Sequence, residues 1–145
     1  MKMLAVLLSS LFLFPVSVLA ENSTKANGYT IHHNAFTTDT LPKGVANAYN
    51  IQRSKGRAMV NISIIKDKAD TTGTAVQADV NLKAKNLFGQ TRAFEVREIR
   101  EANAIYYIAD FAVANREQLV FEIQAMPTGE HYALQAKFQH EFFTE

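Results

Sequence analysis

The chain has 145 residues, with 15 lysines and arginines, 14 aspartates and glutamates, and no cysteine or tryptophan. A formal charge of +1 argues against a nucleic-acid partner, because phosphate neutralisation supplies most of that affinity and needs a visibly basic surface. Without cysteine there is no disulfide, no thiol nucleophile and no thiolate metal site, so stability must come from packing and backbone pairing.

Met1–Ala20 has the layout of a secretory signal peptide. Lys2 gives a positive start, Leu4–Leu13 an apolar run, Pro15 a break, and Val18-Leu19-Ala20 the small residues of a cleavage site. The run is well short of the ~20 residues of a spanning helix. The pattern predicts export with cleavage after Ala20 and no membrane span. The remainder of the chain reads as a polar, flexible lead-in over 21–27 and a single domain over 28–145. About 125 residues can hide roughly two thirds of their unfolded surface, enough for a core without staples.

Tyr29–Phe36 alternates, with Tyr29, Ile31, His33 and Ala35 on one face. Pro42 suits the first turn of a short helix, and Asn50 suits its left-handed end. Val45, Ala46 and Tyr49 make a small apolar face, and so short a helix is predicted to be held by Val45 and Tyr49 against a sheet. A basic loop, Arg53-Ser54-Lys55-Gly56-Arg57, leads into a strict period of two over Ala58–Ile65. Val76, Ala78, Val80 and Leu82 repeat it against polar partners.

Asn86–Gln90 reads as a turn that carries Leu87 and Phe88 at its tip. Phe94 and Val96 alternate with charged residues until Ile99 breaks phase, which predicts a bulge or bend near Arg97–Ile99. Ile105–Phe111 is apolar on both faces and predicts a central strand covered on both sides. Leu119, Phe121, Ile123 and Ala125 form another core face, and Tyr132, Leu134, Ala136 and Phe138 the last. About seven strands at hairpin spacing, with one short helix near the start, mean an all-β sandwich or barrel. An immunoglobulin-like sandwich of antiparallel strands, without the disulfide, is the favoured architecture.

Several stretches together resemble a known family. They are Tyr29-Thr30-Ile31-His32 with Ala35-Phe36, Leu41-Pro42 with Val45-Ala46 and Tyr49, Ile51 with Arg53-Ser54, and Val60-Asn61-Ile62-Ser63. Glu95-Val96-Arg97-Glu98 and Ala104-Ile105-Tyr106-Tyr107 complete the pattern. The family is one of small exported gammaproteobacterial proteins, domain of unknown function 4426. The resemblance spans essentially all of the chain after Ala20. It implies a bacterial, periplasmic, β-rich domain, and implies no activity and no catalytic residue.

Residue chemistry points the same way. His32 and His33 are neighbours on a strand and face opposite sides, so they cannot share a metal without a bulge. No serine sits in a nucleophile elbow and no glycine-rich phosphate loop is present. No cofactor is implied. Glu95, Glu98 and Glu101, interleaved with Arg92, Arg97 and Arg100, read as cross-strand ion pairs on a solvated face. The basic loop of Arg53, Lys55 and Arg57 is a candidate site for an anionic group, with Tyr49 and His32 as possible neighbours. Phe88, with Leu87, is an apolar point that a soluble protein normally buries. Of Phe142 and Phe143, one is expected in the core and the other outside.

The expectation is a non-enzymatic periplasmic binding or accessory module for an envelope protein. The alternative is a binder of a small ligand or anion in a pocket between the short helix and the sheet.

Overall fold

A computed structural model describes residues 22–145. The expected signal peptide lies outside the described residues. Among the described residues ten strands form two antiparallel sheets. In chain order they are β1 (Ser23–Ala26), β2 (Tyr29–Thr37), β3 (Arg57–Lys66), β4 (Thr74–Ala75), β5 (Ala78–Lys85), β6 (Thr91–Phe94), β7 (Arg97–Glu101), β8 (Ala104–Ala112), β9 (Glu117–Pro127) and β10 (Leu134–Phe142). One sheet runs β1-β2-β3-β8-β7 with β4 also on β3, and the other runs β10-β9-β5-β6. With β1 and β4 set aside, this is the strand order of an immunoglobulin sandwich with one extra strand on the second sheet.

The alternation seen in the sequence is what packs the two sheets. On β5 every second residue is buried: Ala78, Val80, Leu82 and Ala84 face in, and Asp79, Asn81, Lys83 and Lys85 face water. Ile31, Val60, Ile62, Ile64, Leu119, Ile123 and Leu134 fill the centre. At one end of the sandwich the filling is aromatic. Phe121 stacks on Phe138 at 4.9 Å, and Phe111 packs on Phe94 at 4.4 Å and edge-on to Phe142 at 6.1 Å.

Four expectations need correction. The stretch read as a flexible lead-in contains β1, paired residue for residue with β2 from Ser23↔His32 to Ala26↔Tyr29. Asn27 and Gly28, at φ 50° and 80°, form the two-residue turn whose twist matches a hairpin.

The bulge or bend expected near Arg97–Ile99 is a change of sheet just before it, and Arg97–Ile99 itself lies in the regular strand β7. Glu95 and Val96 carry the chain from the edge of one sheet to the edge of the other, so the inward face resets. Tyr132 precedes β10 and is 39% exposed; the last core face is Leu134, Ala136, Phe138 and Phe142.

The helix α1 (Lys43–Ala48) is held by Ala46 and Ile51 rather than by Val45, which is 37% exposed. Asn50 ends it at φ 54°, and Ile51 N–H returns to Ala46 O at 2.8 Å. With Met59 of β3 and Ile108 of β8, Ala46 and Ile51 form a second small core outside the first sheet, and Tyr49 packs on its edge. That roof explains why β8 is apolar on both faces. Among the described residues no helix is long and apolar enough to cross a membrane.

Candidate functional site

The register brings three connections and the tail after β10 to one end of the sandwich. Lys85 pairs with Thr91 and with Val120, so the β5–β6 turn sits beside the start of β9. Arg57 pairs with Ala112, and Val113 N–H donates to Gly56 O at 3.0 Å, which sets the basic loop beside the β8–β9 turn. Phe142 lies opposite Glu117, and Thr144 N–H donates to Asn115 Oδ1 at 3.0 Å. Phe88, Phe143 and the Arg53–Arg57 loop, far apart in the chain, therefore share this end.

The turn that carries Leu87 and Phe88 is built rigidly. Asn86 Oδ1 accepts from the N–H groups of Phe88 and Gln90, each at 3.0 Å, and Asn86 Nδ2 donates to Gln90 Oε1 at 2.7 Å. Gly89 takes φ 77° to close it. The tip is thus held out in water, with Leu87 72% and Phe88 89% exposed. Phe143 is 59% exposed at the same end, while Phe142 is in the core.

The basic residues are employed differently from one another. Arg53 donates from Nε to Leu41 O at 2.7 Å and from a terminal nitrogen to Asp39 O at 2.8 Å. It thereby ties the basic loop to the segment that enters the helix. Arg57 pairs with Asp110 at 2.6 Å, and Arg97 reaches the other oxygen of the same carboxylate at 3.5 Å. Lys55 is exposed. The loop is therefore not three cations converging on one point: two of the three are bound inside the molecule. Arg53→Ala should accordingly lower the denaturation midpoint through the lost loop bonds, whereas Lys55→Ala should leave it unchanged; equilibrium denaturation of both variants checks this.

The remaining candidates lie elsewhere. Tyr49 ends the helix on the outer face of the first sheet, where its hydroxyl donates to Glu101 and its carbonyl accepts from Arg97 at 2.8 Å. His32 is exposed on the outer face of β2, opposite Ser63 and near the other end of the sandwich. The space between helix and sheet is filled by Ala46, Ile51, Met59 and Ile108.

Ion pairing also departs from expectation. Of the interleaved Glu and Arg set, only Glu98 and Arg100 pair with each other, at 2.9 Å. Arg92 pairs instead with Glu117 at 3.5 Å and lies over the rings of Phe94 and Phe111 at 5.1 and 5.4 Å. Asp110 was the informative residue in the sequence: a carboxylate inside a doubly apolar strand needs a cation, and it has two. Among the described residues, no three histidine, aspartate or glutamate side chains converge as a metal-ligand set.

Fold and surface together define a disulfide-free immunoglobulin-like sandwich with a helix on one sheet and an apolar turn tip at one end. The chain belongs to the family called Domain of unknown function (DUF4426), whose model matches residues 23–145. It is similar to a crystal structure of a family member from Pseudomonas aeruginosa PAO1, at 32% identity and a TM-score of 0.73, covering 85% of this chain and 94% of that one. It is also similar in fold to FetP of uropathogenic Escherichia coli strain F11, which was expressed recombinantly in the periplasm, at 8% identity and a TM-score of 0.59 over 83% of this chain and 92% of that one. A copper-bound variant of FetP matches at 10% identity and a TM-score of 0.58, over 85% and 95%. At those identities the likeness to FetP is one of fold. No curated protein matches the chain.

Proposed function

We propose that the domain is a non-enzymatic periplasmic binding or accessory module, and that it engages an envelope protein through the end that carries Leu87, Phe88 and Phe143. The observation that carries this reading is Phe88, held 89% exposed on a hydrogen-bonded turn. An apolar ring kept rigid in water gains its free energy on contact, and little conformational entropy is lost when it docks. The leader-like pattern of Met1–Ala20 supports export. The filled space beneath the helix gives no support to a ligand pocket there, and no catalytic grouping accompanies the exposed end.

A photoreactive amino acid at position 88, in cells that express the full chain, tests the reading. Irradiation is expected to give one discrete protein adduct, absent when the same group is placed at position 32. A photoreactive group at position 143 should give the same adduct and lose it when combined with Leu87→Ser and Phe88→Ser, with the thermal midpoint unchanged. Adducts to lipid alone, or equal adducts at 88 and 32, overturn it.

A further inference from the structure

His33 is a titratable group that the contact surface does not use. It is 5% exposed, on the inner face of β2. Its ring stacks on Phe138 of β10, with centroids 4.4 Å apart and planes at 12°. Nε2 shares a hydrogen bond of 3.3 Å with Thr24 Oγ1 on β1, while the buried Nδ1 has no partner among the described residues. The backbone N–H of His33 donates to Asn22 O at 2.9 Å, extending the ladder that holds β1.

The groups on the elements packed around this ring offer no compensating charge. Lys25 of β1, His32 of β2 and Lys137 of β10 alternate to the outer faces, and β3 places the apolar Ile62 opposite. His140 of β10 shares the inner face with Phe138 and lies against Phe142, with centroids 4.6 Å apart and planes tilted by 56°. The one carboxylate on these strands, Glu141 of β10, alternates to the outer face with Lys137. Burial, and then the like charge of His32, hold the His33 pKa below its ordinary 6.5.

We propose that His33 is an acid-released catch for the N-terminal strand: when it takes up a proton, β1 lifts from β2 while the two sheets stay packed. A protonated imidazole donates from both nitrogens. One N–H can still reach Thr24, but the buried Nδ1 has no partner on a neighbouring strand; the residue's own backbone offsets burial only in part, and an undercompensated buried cation is costly. Release requires only that the weakest cover opens. β1 has four residues, lies at a sheet edge and is at most half-buried, and local opening draws on such elements first.

The sign follows from linkage. The closed state binds the proton less tightly than the open one, so closure is fully stable above pH 6.5 and weakens as the pH falls below it. Opening would bare the edge of β2 beside a recess of about 260 Å³ lined by Asn22, His32, His33, Asn34, Asn61 and Ser63.

The absence of cysteine allows a single spin label at Ser23→Cys in the otherwise unchanged chain. Its mobility should rise several-fold between pH 8 and pH 5, with a midpoint below about 6.5, while the near-ultraviolet circular dichroism of the tyrosines holds. His33→Phe, which keeps a ring on Phe138 and cannot titrate, should leave the label immobile throughout; His140→Phe should retain the transition. Imidazole NMR of the chain without substitutions at His33 gives an independent reading, in which the ring titrates together with the loss of amide protection in β1. A label that stays immobile to pH 5, a transition that survives His33→Phe, or loss of tyrosine signal in step with the label each overturns the proposal.

Discussion

Phe121→Ala is expected to cost about 3–5 kcal/mol of stability, a fall in thermal midpoint on the order of 10–20 °C for a domain of this size. Phe121 is fully buried and touches aromatic neighbours from several strands. It stacks on Phe138 of β10 at 4.9 Å, meets Phe142 edge-on at 6.3 Å, and faces Phe111 of β8 and Phe94 of β6 at 6.0 and 6.2 Å. Its removal leaves a hole bounded by both sheets, which cannot collapse without shifting one against the other. Phe88→Ala removes the same ring from water, so its midpoint should stay within about 2 °C of the parent, as surface substitutions do. Differential scanning calorimetry of the two variants separates core from contact surface, and a large loss for Phe88→Ala would mean that the turn tip packs against the body.

Thr38→Val is expected to cost about 1–3 kcal/mol although it keeps the shape of the side chain. Thr38 is fully buried in the 3-10 turn Thr38–Thr40. Its hydroxyl donates to Gln52 O at 2.7 Å and accepts from Ser54 N–H at 3.0 Å. Valine would leave that carbonyl and that N–H, both in part-buried bonds, without the Thr38 hydroxyl at the place where the chain turns from the helix into β3. Thr40→Val removes an exposed bond to Thr37 O and should be nearly neutral. Urea denaturation gives both values, and amide exchange should show protection lost in the Gln52–Arg57 loop for Thr38→Val alone.

The sandwich was legible because its inward faces repeat with period two, from Ala58 through Ile64 and from Leu119 through Ala125, and that period is a direct consequence of the pleat. What was not legible depends on partners distant in the chain. Val45 and Ala46 are equally apolar in sequence, and only the position of Met59 and Ile108 decides that Ala46 turns inward. Arg53 and Arg57 look like free cations until Leu41 O, Asp39 O and Asp110 are brought beside them.

The switch at Glu95–Val96 resembles a bulge because either event resets the phase of the side chains. β1 is different: Asn27-Gly28 is a strong hairpin signal, but three of the four residues before it are polar, and only Ala26 packs on the core. Of the candidate site, the apolar tip at Phe88 was readable from its isolation within a turn, whereas its nearness to Phe143 is a property of strand register.

The pairing of β3 with β8 governs how the chain reaches this state. β2 pairs with β3 across the connection that carries the helix, but most of the other edge of β3 waits for β8: Asn61 meets Ile108, and Arg57 meets Ala112. Until then only β4, two residues long, shields the far end of that edge at Ile65 and Lys66. A chain delivered N-terminus first would thus carry an apolar strand with open backbone groups until most of its length had emerged. Pairing across such separations closes slowly, and an unpaired strand edge invites association with other chains. The interval before β8 arrives is where this fold has most need of a holding partner.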